Sequence, residues 1–339
     1  MVTMIRLALP LVALAAACVP DVDVDTAIVD APRILAVRSI PAEVRPGDPV
    51  RFEALVAGPV DAPLPTPAWT ACLARKPLAE TGPVASGCLE GSGELTPVVG
   101  EGSGVDLVVP GDACRRFGSE PPVTLPDQPP GRPVPANGSG GFELPVVVRL
   151  EDDTSVASAR LTCGAYGATR DQVSELARRS RPNLAPIIES VSARGAALLD
   201  EPLVVEAGET IELSLAWPGC PTEDRCGDLV CGPDETTDDC ASDCTTPAGC
   251  GGAERYVTFD PRTNDLVTRR ESLSVAWFAT DGSFDQPRLG RAEADTATAV
   301  TTAWTAPSVT GPVRAWAVLR DARGGTSWRA LAFEVVAPP

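Results

Sequence analysis

Val205-Glu206-Ala207-Gly208-Glu209-Thr210-Ile211-Glu212-Leu213-Ser214-Leu215 is a turn that runs into a strict alternation. Ile211, Leu213 and Leu215 face one way and Glu212 and Ser214 the other, the two-residue period of a strand buried on one side. The same phrase stands earlier as Val44-Arg45-Pro46-Gly47-Asp48-Pro49-Val50-Arg51-Phe52-Glu53-Ala54, preceded by Arg33-Ile34-Leu35-Ala36-Val37. There Val50, Phe52 and Ala54 alternate with Arg51 and Glu53. The two copies also close alike. Pro145 to Leu150, a turn at Glu151-Asp152-Asp153-Thr154 and Ser155 to Cys163 match in kind Val313 to Arg320, the turn Asp321-Ala322-Arg323-Gly324-Gly325 and Thr326 to Val336. Gly-Gly supplies the positive backbone angles of a tight hairpin. The chain therefore holds an internal repeat, read as all-β: two antiparallel β domains in tandem.

Between the copies lies one helix. Thr169-Arg170-Asp171-Gln172 has the form of a capping box, Val173, Leu176 and Ala177 share a face, and Arg181-Pro182 ends it. We place the first β domain at 31–165, the helical connector at 166–182 and the second β domain at 183–339. A Pro/Gly-rich insertion, densest from Glu120 to Gly141, interrupts the first copy. A cysteine-rich insert over 220–250 interrupts the second.

Ala-Gly-Glu-Thr-Ile-Glu-Leu-Ser-Leu (207–215), the final hairpin (315–328) and Ser274-Val275-Ala276-Trp277-Phe278-Ala279-Thr280-Asp281-Gly282-Ser283 resemble strands of bacterial immunoglobulin-like and PKD-like sandwich domains. The resemblance covers most of 183–339 and the edges of 31–165. It implies two immunoglobulin-like β-sandwiches with disulfide-rich loop insertions, and a role in adhesion, spacing or binding.

Upstream, one arginine and an apolar run ending in small residues form a signal sequence, 1–17. The run is too short to span a bilayer. Leu14-Ala15-Ala16-Ala17-Cys18 resembles the lipobox of bacterial lipoproteins, with Ala15 where Leu is usual. The resemblance implies that Cys18 is acylated and becomes the first residue of an exported, lipid-anchored envelope protein, joined to the membrane through acyl chains. A plain signal followed by an incidental cysteine is the alternative. Val19 is not the aspartate that retains enteric lipoproteins at the inner membrane, which places the protein by analogy at the outer membrane. Residues 18–30, punctuated by Asp21, Asp23, Asp25 and Asp30, read as a tether.

A formal net charge of −18 repels nucleic acid and anionic lipid, so no nucleic-acid partner is expected. There is no histidine, which removes Ser-His-Asp and Cys-His catalysis and histidine-containing zinc sites. Eleven cysteines suit an oxidising compartment. Apart from Cys18 they form two even groups: Cys72, Cys88, Cys114 and Cys163, then Cys220, Cys226, Cys231, Cys240, Cys244 and Cys250. Each group can close on itself as disulfides, with connectivity left open.

Cys226-Gly227-Asp228-Leu229-Val230-Cys231-Gly232-Pro233-Asp234-Glu235-Thr236, continuing to Cys240-Ala241-Ser242-Asp243-Cys244, resembles an extracellular motif of myxobacterial and other secreted bacterial proteins. Leu229 and Asp234 stand where that motif has glycine, and Ala241 where it has proline. Three readings stay open. The insert is a plain disulfide knot, which a loop this poor in apolar residues needs. Alternatively calcium joins it: eight carboxylates stand against one arginine between Cys220 and Cys250, and Asp228, Glu235 and Asp243 are the candidate ligands. The third reading is zinc on Cys226, Cys231, Cys240 and Cys244.

Six tryptophans draw the eye, with Trp277, Trp304, Trp316 and Trp328 in strand-like text, expected mostly in the core. No catalytic constellation stands out. The expected function is a non-enzymatic binding, adhesion or scaffold module whose partner is an envelope protein or polysaccharide. The alternative is a carbohydrate-binding or carbohydrate-cleaving accessory protein, which an exposed aromatic face on the second domain would favour.

Overall fold

The computed structural model describes residues 26–75, 84–91, 95–118, 141–151, 153–165, 167–244, 249–260 and 262–339. In the first copy, β1 (Arg33–Ile40), β3 (Pro49–Ala57) and β6 (Gly104–Val108) form one sheet in the order β1-β3-β6. Facing it are β2 (Glu43–Val44), β4 (Ala68–Ala71), β5 (Val98–Glu101), β7 (Phe142–Leu150) and β8 (Asp153–Leu161), in the order β2-β8-β7-β4-β5. The opening strand changes sheets part way: β1 pairs antiparallel with β3, whereas β2 pairs parallel with β8.

The second copy repeats this order. β9 (Ser190–Ala193), β10 (Ala196–Ala197), β12 (Thr210–Ala216), β16 (Ser283–Phe284) and β18 (Ala299–Thr305) run β10-β9-β12-β18-β16. Opposite lie β11 (Leu203–Glu206), β15 (Leu273–Ala279), β17 (Arg288–Arg291), β19 (Gly311–Asp321) and β20 (Thr326–Val336), in the order β11-β20-β19-β15-β17. β11 is again parallel to the last strand. Both copies are thus immunoglobulin-like sandwiches. A separate hairpin, β13 (Arg255–Asp260) with β14 (Asp265–Arg270), lies between β12 and β15.

The alternation in the repeated phrase is what each sandwich buries. Val50 and Phe52 in β3, and Ile211, Leu213 and Leu215 in β12, are 2% exposed or less. The turn before each strand carries a glycine at positive φ, Gly47 at 89° and Gly208 at 76°, where a side chain would be strained. Thr169 and Gln172 form the capping box of α3, once α1 (Ser86–Glu90) and α2 (Ala113–Phe117) have been passed, and α3 runs Arg170–Arg179. A fourth helical turn, α4 (Ala241–Cys244), lies in the cysteine-rich insert. Among the described residues no helix is long and apolar enough to cross a membrane.

The two sandwiches lie side by side. Val29, Leu35, Ala36 and Ala57 pack on the outer face of the β20-β19-β15 sheet, against Ala276, Phe278, Trp316 and Val318. Arg33 and Arg38 place their guanidinium groups over the Phe278 and Trp328 rings, 5.6 and 4.2 Å from the centroids. Of the segment read as a tether, residues 26–30 are described, and part of it belongs to the body. Val29 N–H donates to the Ala279 carbonyl (2.8 Å), Ala279 N–H donates to the Ala27 carbonyl (3.0 Å), and both Ala27 and Val29 are buried. One parallel bridge, Ile28 to Ala279, ties this strap to the second sandwich, with Ala27 in that sandwich's core and Val29 in the cluster between the two sandwiches.

Candidate functional site

At Trp217, just past β12, the chain leaves the sandwich for the insert, returning at β13. Cys220–Cys250 closes the neck, and Cys226–Cys240 and Cys231–Cys244 interleave inside it. In the first sandwich Cys72 pairs with Cys88, and Cys114 in α2 pairs with Cys163 just beyond β8. Cys226, Cys231, Cys240 and Cys244 are all spent in disulfides, so the zinc reading loses its thiolates. Cys18 lies outside the described residues.

The three acidic residues singled out in the insert act on its backbone. Asp243, 2% exposed, accepts from the N–H groups of Gly227 and Asp228 at 2.6 and 3.2 Å. Burial pushes its carboxyl up, but those N–H groups and the Ser242 hydroxyl hold it below its ordinary value. Glu235 accepts from Gly232 N–H (2.8 Å), and Asp228 from Val230 N–H (2.9 Å). Glu235 Oε1 and Asp243 Oδ1 are buried with no hydrogen-bond partner. The structure does not gather the three as one ligand set: among the described residues, the group whose potential ligand atoms lie within 4.8 Å of one another is Cys226, Cys240 and Asp243. Leu229 keeps the glycine-like backbone of the motif, at φ 70°, with its side chain 74% exposed, whereas Asp234 needs no such angle.

The insert is docked, not dangling. Arg179 of α3 pairs with Asp234 and donates to the Pro233 carbonyl, and Arg181 donates to the Glu235 carbonyl. Asp224 accepts from Arg255 of β13 (2.6 Å) and from Asp234 N–H (2.8 Å). Burial raises the Asp224 pKa against the pull of Arg255. Helix α3 rests on the same hairpin through Gln172, which donates to the Asn264 carbonyl. A groove of about 530 Å³ separates the insert from the first sandwich, lined by Arg45, Arg178, Arg181, Thr236, Asp238 and Asp239.

Beneath the insert the domains share a buried ionic joint that reading the sequence did not find. Arg323, 2% exposed, sits in the β19–β20 turn, and its Nε donates to Glu271 (2.6 Å). Its two terminal nitrogens donate to Glu254 and to the Arg181 carbonyl, both at 3.1 Å. Asn183, fully buried, donates through its side chain to Asp321 and through its backbone N–H to Glu43, 2.8 Å away in the first sandwich. Glu43 in turn pairs with Arg160 at 3.2 Å. Four carboxylates, Glu43, Glu254, Glu271 and Asp321, thus face two guanidinium groups. Burial and the neighbouring Glu271 charge raise both Glu254 and Asp321 to about 7. For Arg323, burial pulls the pKa down but Glu271 and Glu254 outweigh it.

The tryptophans offer no stacking platform. Trp69, Trp217, Trp277 and Trp304 are 1% exposed or less, Trp316 is buried between the domains, and Trp328 is half-buried under Arg38. Trp69 and Trp277 hold the same place, on β4 and β15, and the text around them matches as Ala68-Trp69-Thr70-Ala71 and Ala276-Trp277-Phe278-Ala279. That match was legible and marks the central strand of the first copy.

No protein-family model matches this chain, and no curated protein matches it. Among solved structures it is similar to the Yersinia pseudotuberculosis adhesin InvE, at 12% identity and TM-score 0.19 over 88% of this chain and 58% of that one. It is also similar to the three N-terminal domains of the bacteriophage RB49 Highly Immunogenic Outer Capsid protein, at 11% identity and TM-score 0.17 over 90% and 59%. Fibronectin(III)-like modules of Clostridium thermocellum CbhA match at 8% identity and TM-score 0.18 over 92% and 93%. The chain spans 58% and 59% of the first two. The fold rests on strand order, not on these superpositions.

Proposed function

We propose that this chain is a non-enzymatic binding, adhesion or scaffold module of the bacterial envelope, held to the membrane by acyl chains on Cys18. The observation that carries the reading is the loop between β12 and β15. It is the longest connection of the second sandwich, it is cross-linked three times, and ion pairs fix its cysteine-rich part to α3 and to the β13 strand that follows it. Sandwich scaffolds carry recognition on such loops. The five disulfides suit an oxidising compartment. Burial of the tryptophans speaks against the carbohydrate-stacking alternative.

Fatty-acid labelling tests the anchor: wild type incorporates label and fractionates with membranes, and Cys18→Ser loses both. A mature wild-type chain that carries no label would sink it. Binding is tested with the soluble Cys18→Ser ectodomain on isolated envelopes, with and without residues 221–249. Equal retention of the two would remove the insert from the function.

A second reading, calcium in the insert, is favoured by the buried, unpartnered Glu235 Oε1 and Asp243 Oδ1. The separation of Asp228 and Glu235 from the Asp243 cluster opposes it. Thermal melts in calcium and in chelator decide: a midpoint shift lost on changing Asp228, Glu235 and Asp243 together supports an ion, and coincident melts leave a disulfide knot.

A further inference from the structure

We propose that the first half of β20 is an acceptor edge, onto which a partner protein lays an extended apolar segment carrying a carboxylate. This site lies outside the cysteine-rich insert and depends on neither that insert nor the Cys18 anchor.

The edge follows from register. β19 runs along one side of β20 from Thr326 to Val335, whereas β11 covers only Phe333 to Val336 on the other. Residues 326–332, about 20 Å of strand, therefore have no neighbouring strand on that side. The Val336 carbonyl accepts from Ala207 N–H across this edge at 2.9 Å, and main-chain groups alternate in direction along a strand. Counting back in twos, Ala330 and Trp328 point N–H and C=O out along the open stretch. Among the described residues neither finds a hydrogen-bond partner there. Such edges are ordinarily guarded by charges, a proline or a bulge. Here Trp328-Arg329-Ala330-Leu331-Ala332 holds no proline and no register shift against β19, and both alanines are exposed.

Beside the edge lies a groove of about 420 Å³ between the sandwiches, whose walls include Arg38, Ser39, Ile40, Ile187, Trp328 and Arg329. Its lining holds two guanidinium groups and no carboxylate, in a chain of net charge −18. Arg38 is held by Glu53 and lies over Trp328. Arg329 donates to the Leu198 carbonyl at 3.0 Å, and among the described residues it has no carboxylate partner. Ile40 and Ile187 are 43% and 55% exposed. Asp200 and Glu201 stand just before β11, towards the far end of the open stretch, so an acidic side chain is favoured at Arg329 and not along the whole edge. A row of main-chain donors and acceptors at strand spacing is matched by another backbone, which commits the occupant to a polypeptide. The isoleucines select apolar side chains in it, and Arg329 selects a carboxylate.

The test titrates a fluorescent peptide of about eight residues, threonine alternating with valine around one central glutamate, into the full disulfide-bonded chain. We expect saturable binding that slows amide exchange at Trp328 and Ala330. Replacing the glutamate by lysine, or methylating the peptide nitrogens that face the edge, should each weaken binding about tenfold. Ala330→Pro removes only an outward N–H and leaves the ladder to β19, so it should fold and also bind about tenfold more weakly. If its melt shows that it does not fold, the methylated peptide carries the same test. Undiminished binding of the methylated peptide, or binding with exchange unchanged at Trp328 and Ala330, overturns the acceptor edge. No binding at about millimolar peptide does the same. Equal binding of the lysine peptide overturns the carboxylate. Protection of these amides that grows with protein concentration in the absence of peptide makes a second copy the occupant and overturns the separate partner.

Discussion

The two sandwiches share one strand order and differ in what they cross-link. In the first, both described disulfides brace the body: Cys72–Cys88 ties α1 back beside β4, and Cys114–Cys163 ties α2 to the chain beyond β8. In the second, all three lie in the insert, and the sheets are held by a continuous core around Trp217, Trp277 and Trp304. One copy uses sulfur to hold the fold, and the other uses it to hold a loop. The difference teaches that an apolar core frees covalent bonds for display, whereas a copy interrupted by Pro/Gly-rich sequence needs them for itself.

The hardest blow to this pairing falls on the joint that both copies share. Arg323→Met leaves the buried Glu254 and Glu271 without their cation and is expected to cost about 3–5 kcal/mol in denaturant unfolding. A loss below about 1 kcal/mol would show that the carboxylates rearrange or protonate and that the joint is not a structural bond.

Next in size is removal of a brace from each copy. Cys114→Ala with Cys163→Ala opens a 49-residue loop and should lower stability by about 2–4 kcal/mol. Cys226→Ala with Cys240→Ala should leave the main thermal transition in place and only increase proteolysis within the insert. Equal loss of the main transition in both would erase the contrast between bracing and display.

The joint also sets a pH dependence. Glu254 and Asp321 titrate near 7 in the folded chain and near 4 when unfolded. Their contribution is complete below the unfolded values and is lost as pH rises through about 7, so stability should fall by up to about 3 kcal/mol between pH 6 and pH 8. Glu254→Gln with Asp321→Asn should flatten that slope. The lowered carboxyls of Glu53, Asp112 and Asp260 act in the opposite sense and in a more acidic window. A slope unchanged in the double variant would place the titrating groups elsewhere.

The finest comparison is between the two matching tryptophans. Trp69 donates from Nε1 to the Gly102 carbonyl at 2.8 Å, whereas Trp277 Nε1 is buried without a partner. Trp69→Phe should therefore cost about 1 kcal/mol more than Trp277→Phe, since only the first loses a hydrogen bond. Equal costs would mean that ring volume alone decides.

Much of the fold was legible because it is local. A period of two residues encodes a half-buried strand, and Thr169 with Gln172 encodes a helix start, without reference to anything distant. The cysteine framework and its split into two even groups were legible for the same reason. The joint was not. Arg323 reads as part of a hairpin turn, and its partners Glu254 and Glu271 lie 69 and 52 residues away, while Asn183 and Glu43 are 140 apart. No spacing rule singles out such charges among the 46 acidic residues of the chain. The strap was hidden likewise, because Ala27 and Val29 look like any small apolar residues between aspartates.

By itself the sequence determined two β units, their order, one connector helix and a disulfide chemistry suited to an oxidising compartment, because strand period, turn residues and residue type act within a few positions of the chain. Only the tertiary structure decided the cysteine pairing, the side-by-side packing and the burial of Ala27 and Val29 against the second sandwich. Those depend on which distant surfaces exclude water together, and that choice is made when the two sandwiches meet.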